Sequence, residues 1–304
     1  MRPLDLAALP LIVMEHEHLI ERTAEAMGLG PVTVAWHAPD GRGPLAALAD
    51  NRADLAMVDL APFLVAADAN ADATGAVRAL GAILQRPYVL VTRDKDIHTI
   101  RDFRAADRIA VPALKVSAPA LMLEMAAAAE WGPDHYDRLD PLVVARPDAV
   151  AADMLLYAKG DIDAHFSRTP FVDAELADPA VHRVMDSFDI AGPHSDAVLA
   201  VPTRFAAANP DLCKAVLSAL QAADDYIRKT PGAAAEIYAD TAKDLDIPLE
   251  DLSDMIGDPD LAYRAAPIGV LRLAQFMQRL GRLKRPVADW RALFLPAARD
   301  LPGS

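Results

Sequence analysis

The sequence predicts an α/β protein built as two lobes, and three observations carry that reading. Short apolar runs alternate with helical patterns from one end of the chain to the other, the mark of mostly parallel sheets with helices on both faces. Several of these runs end in a small or polar loop that opens a helix: Asp59-Leu60-Ala61-Pro62, Ala113-Leu114-Lys115-Val116-Ser117-Ala118 and Ala164-His165-Phe166-Ser167. The pattern restarts after Asp94, and 304 residues exceed what one core of ordinary size holds.

In the first part, Leu11 to Met14, Val32 to Trp36, Leu55 to Val58 and Ala79 to Leu84 read as strands. Between them, Glu17 to Met27 reads as a helix stopped by Gly28 and Gly30, while Pro44 to Asp50 and Pro62 to Ala69 each begin with a first-turn proline. Tyr88 to Asp94 reads as one more strand, and Thr99-x-x-Asp102 as a capping box for a short helix. A second series follows, with strands at Arg108 to Val111, Leu142 to Ala145, Ile162 to Phe166 and Val181 to Met185. Its helices are Ser117 to Trp131 and Pro147 to Lys159. After a last strand, Val198 to Val201, only helices are expected. The clearest is Pro210 to Lys229, where Leu212, Ala215, Val216, Ala219, Leu220, Ala223, Tyr226 and Ile227 form one apolar stripe. Asn209 and Thr230, each before a proline, are expected to serve as N-caps.

The simplest arrangement inserts the second series into the first. Residues 1–90 begin lobe one, 91–195 form lobe two, and 196–304 bring a return strand and the C-terminal helices back to lobe one. Two crossing strands, near Tyr88 to Asp94 and Pro193 to Val201, would make a hinge. Ligands of open α/β sheets sit beyond the carboxyl ends of strands, so the loops named above are expected to face one another across an interlobe cleft.

Composition narrows the function. A net charge of −14, with no Lys/Arg-rich stripe, opposes binding to nucleic acid or anionic lipid. Cys213 is the sole cysteine, which excludes an internal disulfide and a thiolate zinc cluster. Leu6 to Met14, the longest early apolar run, is too short to span a bilayer and lacks a basic flank and a cleavage site, so no export signal is read. The protein is then either cytoplasmic or begins after a removed signal peptide. No G-x-S-x-G elbow, G-x-x-x-x-G-K-[ST] loop or G-x-G-x-x-G after a strand is present. Met14-Glu15-His16-Glu17-His18 invites a metal reading, but Ile20 stands where a His-Glu-x-x-His pattern needs its second histidine. Neither metal nor cofactor is expected.

A series of segments spans nearly the whole chain in one order: Leu11-Ile-Val-Met-Glu15, Ala53-Asp-Leu-Ala-Met-Val-Asp59, Thr99-Ile-Arg-Asp-Phe103 and Arg108-Ile-Ala-Val-Pro112. Gly160-Asp-Ile-Asp-Ala-His-Phe166 and Val201-Pro-Thr-Arg-Phe205, leading into Asn209-Pro-Asp-Leu212, complete it. In that series the chain resembles the periplasmic substrate-binding proteins of ABC importers, in the nitrate, sulfonate and taurine branch that includes binders of thiamine-pyrimidine precursors. The resemblance implies a type II, Venus-flytrap fold with two crossing strands, and a periplasmic protein, monomeric, that is not an enzyme. It implies capture of a small anionic or zwitterionic solute, closure by population shift, and delivery to a membrane permease. Enzymes on the same fold are the alternative. Of these, the pyrimidine synthases carry a cysteine-rich motif missing here, and the desulfinases need a cleft cysteine, whereas Cys213 lies early in a late helix. A cytoplasmic ligand sensor is the other.

Candidate ligand groups follow from the loops. Ser117 caps a long helix, and its hydroxyl with nearby N–H groups suits an anion; Lys115 would add charge, with Val116 between them. Gly41, Arg42 and Gly43 open a helix at Pro44, where the Arg42 fork matches a carboxylate or sulfonate, or simply turns in solvent. Asp59 and Ala61 stand at a third helix opening, Asp59 as a cap or as an acceptor for an amine. Gln85 and Arg86 lie near the proposed hinge. His165, Phe166 and Ser167 end a strand of lobe two, with His194 near the return crossing; they stack on or bond a flat ligand, or pack in the core. Met14, Glu15 and His16 are read as cleft-edge residues at the end of the first strand.

Overall fold

The segment Ser195–Pro202 buries all eight of its residues, and the strand it forms organises the first of two units. The computed structural model describes residues 5–37, 41–69, 76–242 and 247–304. One unit comprises Met1–Gln85 and Ser195–Ser304, the other Arg86–His194. Along the chain, the first stretch holds α1 (Leu9–His16), α2 (Leu19–Ala26), α3 (Pro44–Ala49), β1 (Ala56–Asp59), α4 (Leu60–Ala69) and β2 (Val77–Gln85). The other unit holds β3 (Val89–Thr92), β4 (Ile109–Val111), α5 (Ala118–Trp131), β5 (Val143–Ala145) and α6 (Asp148–Leu156). It continues with β6 (Ala164–Ser167), α7 (Phe171–Ala177), β7 (His182–Asp186) and α8 (Ser187–Ala191). The chain then returns with β8 (Ser195–Pro202), α9 (Thr203–Ala208), α10 (Pro210–Lys229), α11 (Pro231–Thr241), α12 (Leu249–Gly257), β9 (Ala262–Tyr263) and α13 (Val270–Arg279).

The sheet of the first unit has the order β1-β8-β2-β9, and each of these pairs is antiparallel. This corrects the mostly parallel expectation. The returning strand β8 inserts between two strands that run the other way, a direction that apolar runs do not reveal. Leu11 to Met14 is helix rather than strand: α1 buries Leu9, Pro10, Ile12, Val13 and Met14, and a short run apolar on nearly every side carries no period to tell the two apart. Val32 to Trp36 alternates between half-buried and exposed residues as a strand should. It forms no ladder among the described residues, so it is extended chain and not a strand. Strand β9 adds two residues on the edge of β2, too few for any periodicity to announce.

Helix α10 lays its apolar stripe on α1, α2 and β2, with Cys213, Val216, Leu220 and Ile227 buried. Its ends are not capped as expected. The Asn209 amide donates back to the Phe205 carbonyl and the Thr230 hydroxyl to the Tyr226 carbonyl, each closing the preceding helix. The N1 prolines lack an N–H, so the forward cap bond is less needed.

In the second unit the sheet order is β5-β4-β6-β3-β7. Strand β4 runs parallel to β5 and β6, and β3 runs antiparallel to β6 and β7. Val89, Val91, Leu155, Val172 and Val181 form a core where α6 and α7 cover one face. The short helices α7 and α8 were not expected, since seven and five residues leave too little pattern. At Thr99 both halves of a cap form, the Thr99 hydroxyl accepting from the Arg101 N–H at 3.2 Å in place of the Asp102 N–H. The Asp102 carboxylate accepts from the His98 and Thr99 N–H groups at 3.0 and 2.8 Å, and a turn, not a helix, follows.

Candidate functional site

Strand direction gathers the polar loops of the second unit at one sheet edge. Because β4, β5 and β6 are parallel, their carboxyl ends coincide, and β7 ends there too, opposite the start of β3. Val89 is in register with both Ser167 and Asp186, so that edge carries Arg86 to Tyr88, Pro112 to Ser117, Arg146 and Pro147, Ser167 to Pro170, and Asp186 with Ser187. Carboxyl-end edges of this kind are where α/β sheets bind ligands.

Beneath the edge lies a buried charge cluster. His165 is fully buried on β6, with Nδ1 2.7 Å from Oε1 of Glu175 on α7 and Nε2 3.5 Å from Oδ1 of Asp148 on α6. Asp148 Oδ2 accepts from Nε of Arg168 at 2.8 Å. Burial works against a charged imidazole here, yet the neighbouring Asp148 and Glu175 carboxyl groups outweigh it and raise the His165 pKa. Burial likewise opposes ionisation of Asp148, and His165 with Arg168 overcomes it, holding that carboxyl below its ordinary range. The Ser167 hydroxyl, also fully buried, makes no protein hydrogen bond.

The other sequence-predicted residues divide by location. Arg86 is fully buried and donates from Nη1 to the Thr169 carbonyl at 3.2 Å. Phe166 packs edge-on against Tyr88, on the sheet face opposite His165. His194 is buried, 3.0 Å from Ser187 Oγ and stacked on Tyr88, while the Tyr88 N–H donates to the same hydroxyl at 2.8 Å. Ser117 caps α5 as expected: its hydroxyl donates to the Ala113 carbonyl at 2.6 Å and accepts from the Ala120 N–H at 3.5 Å. Lys115 is left-handed at φ +62°, 3.7 Å from Asp140, and holds Leu114 and Val116 in an exposed loop.

In the first unit, Asp59 and Gln85 end β1 and β2 beside the start of β8, paired with Ala197 and Ser195. Ala61, the second residue of α4, is buried. Met14 is buried inside α1, whereas Glu15 and His16 are exposed at its C-terminal end, where His16 meets Glu17. Gly41, Arg42 and Gly43 precede α3, with Arg42 exposed 3.7 Å from Asp50. The residues sequence reasoning missed are Asp148, Glu175, Arg168, Tyr88 and Ser187. Only Arg168 carried a signal, as the residue that follows a strand-end serine.

A two-unit α/β chain whose second unit is inserted between the halves of the first is the architecture of periplasmic binding proteins, and solved structures show that fold for this chain. The chain is similar to the periplasmic aliphatic sulphonate binding protein SsuA from Escherichia coli, at 17% identity over 96% of each chain with a TM-score of 0.72. It is similar to the alkanesulfonate-binding protein SsuA from Xanthomonas axonopodis pv. citri bound to MOPS, at 19% identity over 96% of this chain and 94% of that one, TM-score 0.68. The periplasmic nitrate-binding protein NrtA from Synechocystis matches at 13% identity over 94% and 81%, TM-score 0.63. No protein-family model and no curated protein matches the sequence.

Proposed function

We propose that the protein is the solute-binding component of an ABC importer, a periplasmic monomer that captures a small anionic or zwitterionic solute and hands it to a membrane permease. The observation that carries this reading is the edge of the second unit's sheet. There Ser167 keeps a buried hydroxyl without a protein partner beside Arg168, at the carboxyl ends of parallel strands. A buried polar group left in that state points to a ligand that completes it. The ligands for which proteins of similar fold are named, sulfonates and nitrate, are anions and support the same chemistry.

Two features support binding over catalysis. Cys213 is buried and its thiol is pushed up by burial, the opposite of an activated nucleophile. The Ser187–His194 pair is also buried, and its hydroxyl accepts the Tyr88 N–H, so it ties backbone together instead of standing ready to attack a substrate.

A thermal-shift panel tests the proposal, using alkyl and aryl sulfonates, nitrate, bicarbonate, dicarboxylates, amino acids and pyrimidines. A solute at ~100 times its dissociation constant adds about 2.7 kcal/mol to the folded state. One anionic or zwitterionic class is expected to raise the melting point by several degrees. A response to neutral or cationic solutes alone, or to none, counts against it.

A further inference from the structure

We propose that His98 and His182 form a two-histidine site for a late first-row divalent metal ion, taking Cu²⁺ in preference to Ni²⁺ or Zn²⁺. The inference stands apart from the solute-binding reading and concerns the other end of the second unit's sheet.

Strand register brings the two residues together. Thr92 ends β3 opposite His182, which begins β7, so the pair lies at the far end of these strands from Val89 and Asp186. His98 belongs to the loop that leaves β3, and its ring centre stands 5.5 Å from that of His182, with the two planes inclined at 40°. With one nitrogen of each ring turned to a shared ion, bonds of about 2.1 Å put the metal roughly 3.3 Å from each ring centre. The 5.5 Å separation is then spanned at an angle of about 115°, close to that of a tetrahedral ion.

The chemistry of the rings suits an ion. Nε2 of His182 lies 2.8 Å from the Ile97 carbonyl, which can only accept, so in the neutral ring Nε2 carries the proton and Nδ1 keeps its lone pair. A backbone carbonyl on the second nitrogen is the device that orients metal-binding histidines and fixes their tautomer. The exposed His98 ring makes no hydrogen bond among the described residues. Its backbone N–H donates to the Asp102 carboxylate at 3.0 Å, which sets a negative charge beside it. No cluster of three histidine, cysteine or carboxylate ligands forms among the described residues, leaving the ion's remaining positions to water. Two imidazoles favour Cu²⁺, Ni²⁺ and Zn²⁺ over Mg²⁺, and the general order of affinity puts Cu²⁺ first.

The test is calorimetric titration of CuCl₂, NiCl₂, ZnCl₂ and MgCl₂ into the untagged full-length protein at neutral pH. One equivalent of Cu²⁺ is expected to bind, more tightly than Ni²⁺ or Zn²⁺, with no binding of Mg²⁺. His98→Ala, which removes no side-chain hydrogen bond, and His182→Gln are each expected to weaken Cu²⁺ at least tenfold. His135→Ala removes an exposed histidine from another loop and is expected to leave binding unchanged. In proton–nitrogen NMR spectra, substoichiometric Cu²⁺ is expected to broaden the amides of residues 97–99 and 182–183 first. If His182→Gln does not fold, His98→Ala decides alone, because the His98 ring holds nothing else in place. No binding of any of the three ions, undiminished binding in His98→Ala, an equal loss in His135→Ala, or Mg²⁺ held as tightly as Cu²⁺ overturns the assignment.

Discussion

His165 is fully buried between the carboxyl groups of Asp148 and Glu175. Its folded pKa lies above that of the unfolded chain, so the stability it contributes is present below the unfolded value and disappears as pH rises through the folded one. Chemical denaturation from pH 6 to 9 is therefore expected to show falling stability in wild type and a flatter profile in His165→Gln. Asp224 gives the same sign by another route. Burial pushes its carboxyl up to about 7, with only partial relief from the Ala265 amide, so the folded state holds a proton that the unfolded chain releases near 3.8. Stability from this group is lost between those values. Asp224→Asn, which mimics the protonated acid, is expected to raise the melting point at pH 8 and to change it little below pH 4. Ser117→Ala removes the cap of α5 and is expected to cost about 1 kcal/mol, read as a shift in denaturation midpoint.

Periodicity made some elements legible and left others silent. The stripe of α10 spans about four turns, and Leu220 is fully buried where the sequence placed it. Leu220→Ala is expected to destabilise by about 2–5 kcal/mol in denaturant unfolding, because Gly81 packs its backbone close by and little can collapse into the gap. Gly160→Ala, at φ +112° with its new Cβ driven into Met154, should destabilise by more than about 1 kcal/mol. Elements of two to seven residues, such as β9, α7 and α8, carry too few positions to show a period. Strand direction was equally hidden, since β8 reads as an apolar run whichever way it points. The candidate site was legible in part. The strand end at His165 and Ser167 stood out, as did the cap at Ser117. The carboxylates that engage His165 did not, because Asp148 and Glu175 reach it only once α6 and α7 pack on the same sheet face, and nothing in their spacing encodes that.

At the scale of the whole molecule the chain carries a net charge of −14, so an anionic solute of the kind proposed would have to be held by local geometry. The long-range field would repel such an anion, so its association should quicken with added salt as that field is screened. On the proposed reading the burden falls on the buried edge of the second unit, where the Ser167 hydroxyl makes no protein hydrogen bond. The measurement that tests this account most directly is equilibrium dialysis of the full-length protein against the solute class that stabilises it, followed by denaturation and mass analysis of what is released. One equivalent of anionic or zwitterionic solute per chain, recovered chemically unchanged, is the predicted result. A chemically altered product, or no retained solute from any class, would contradict it.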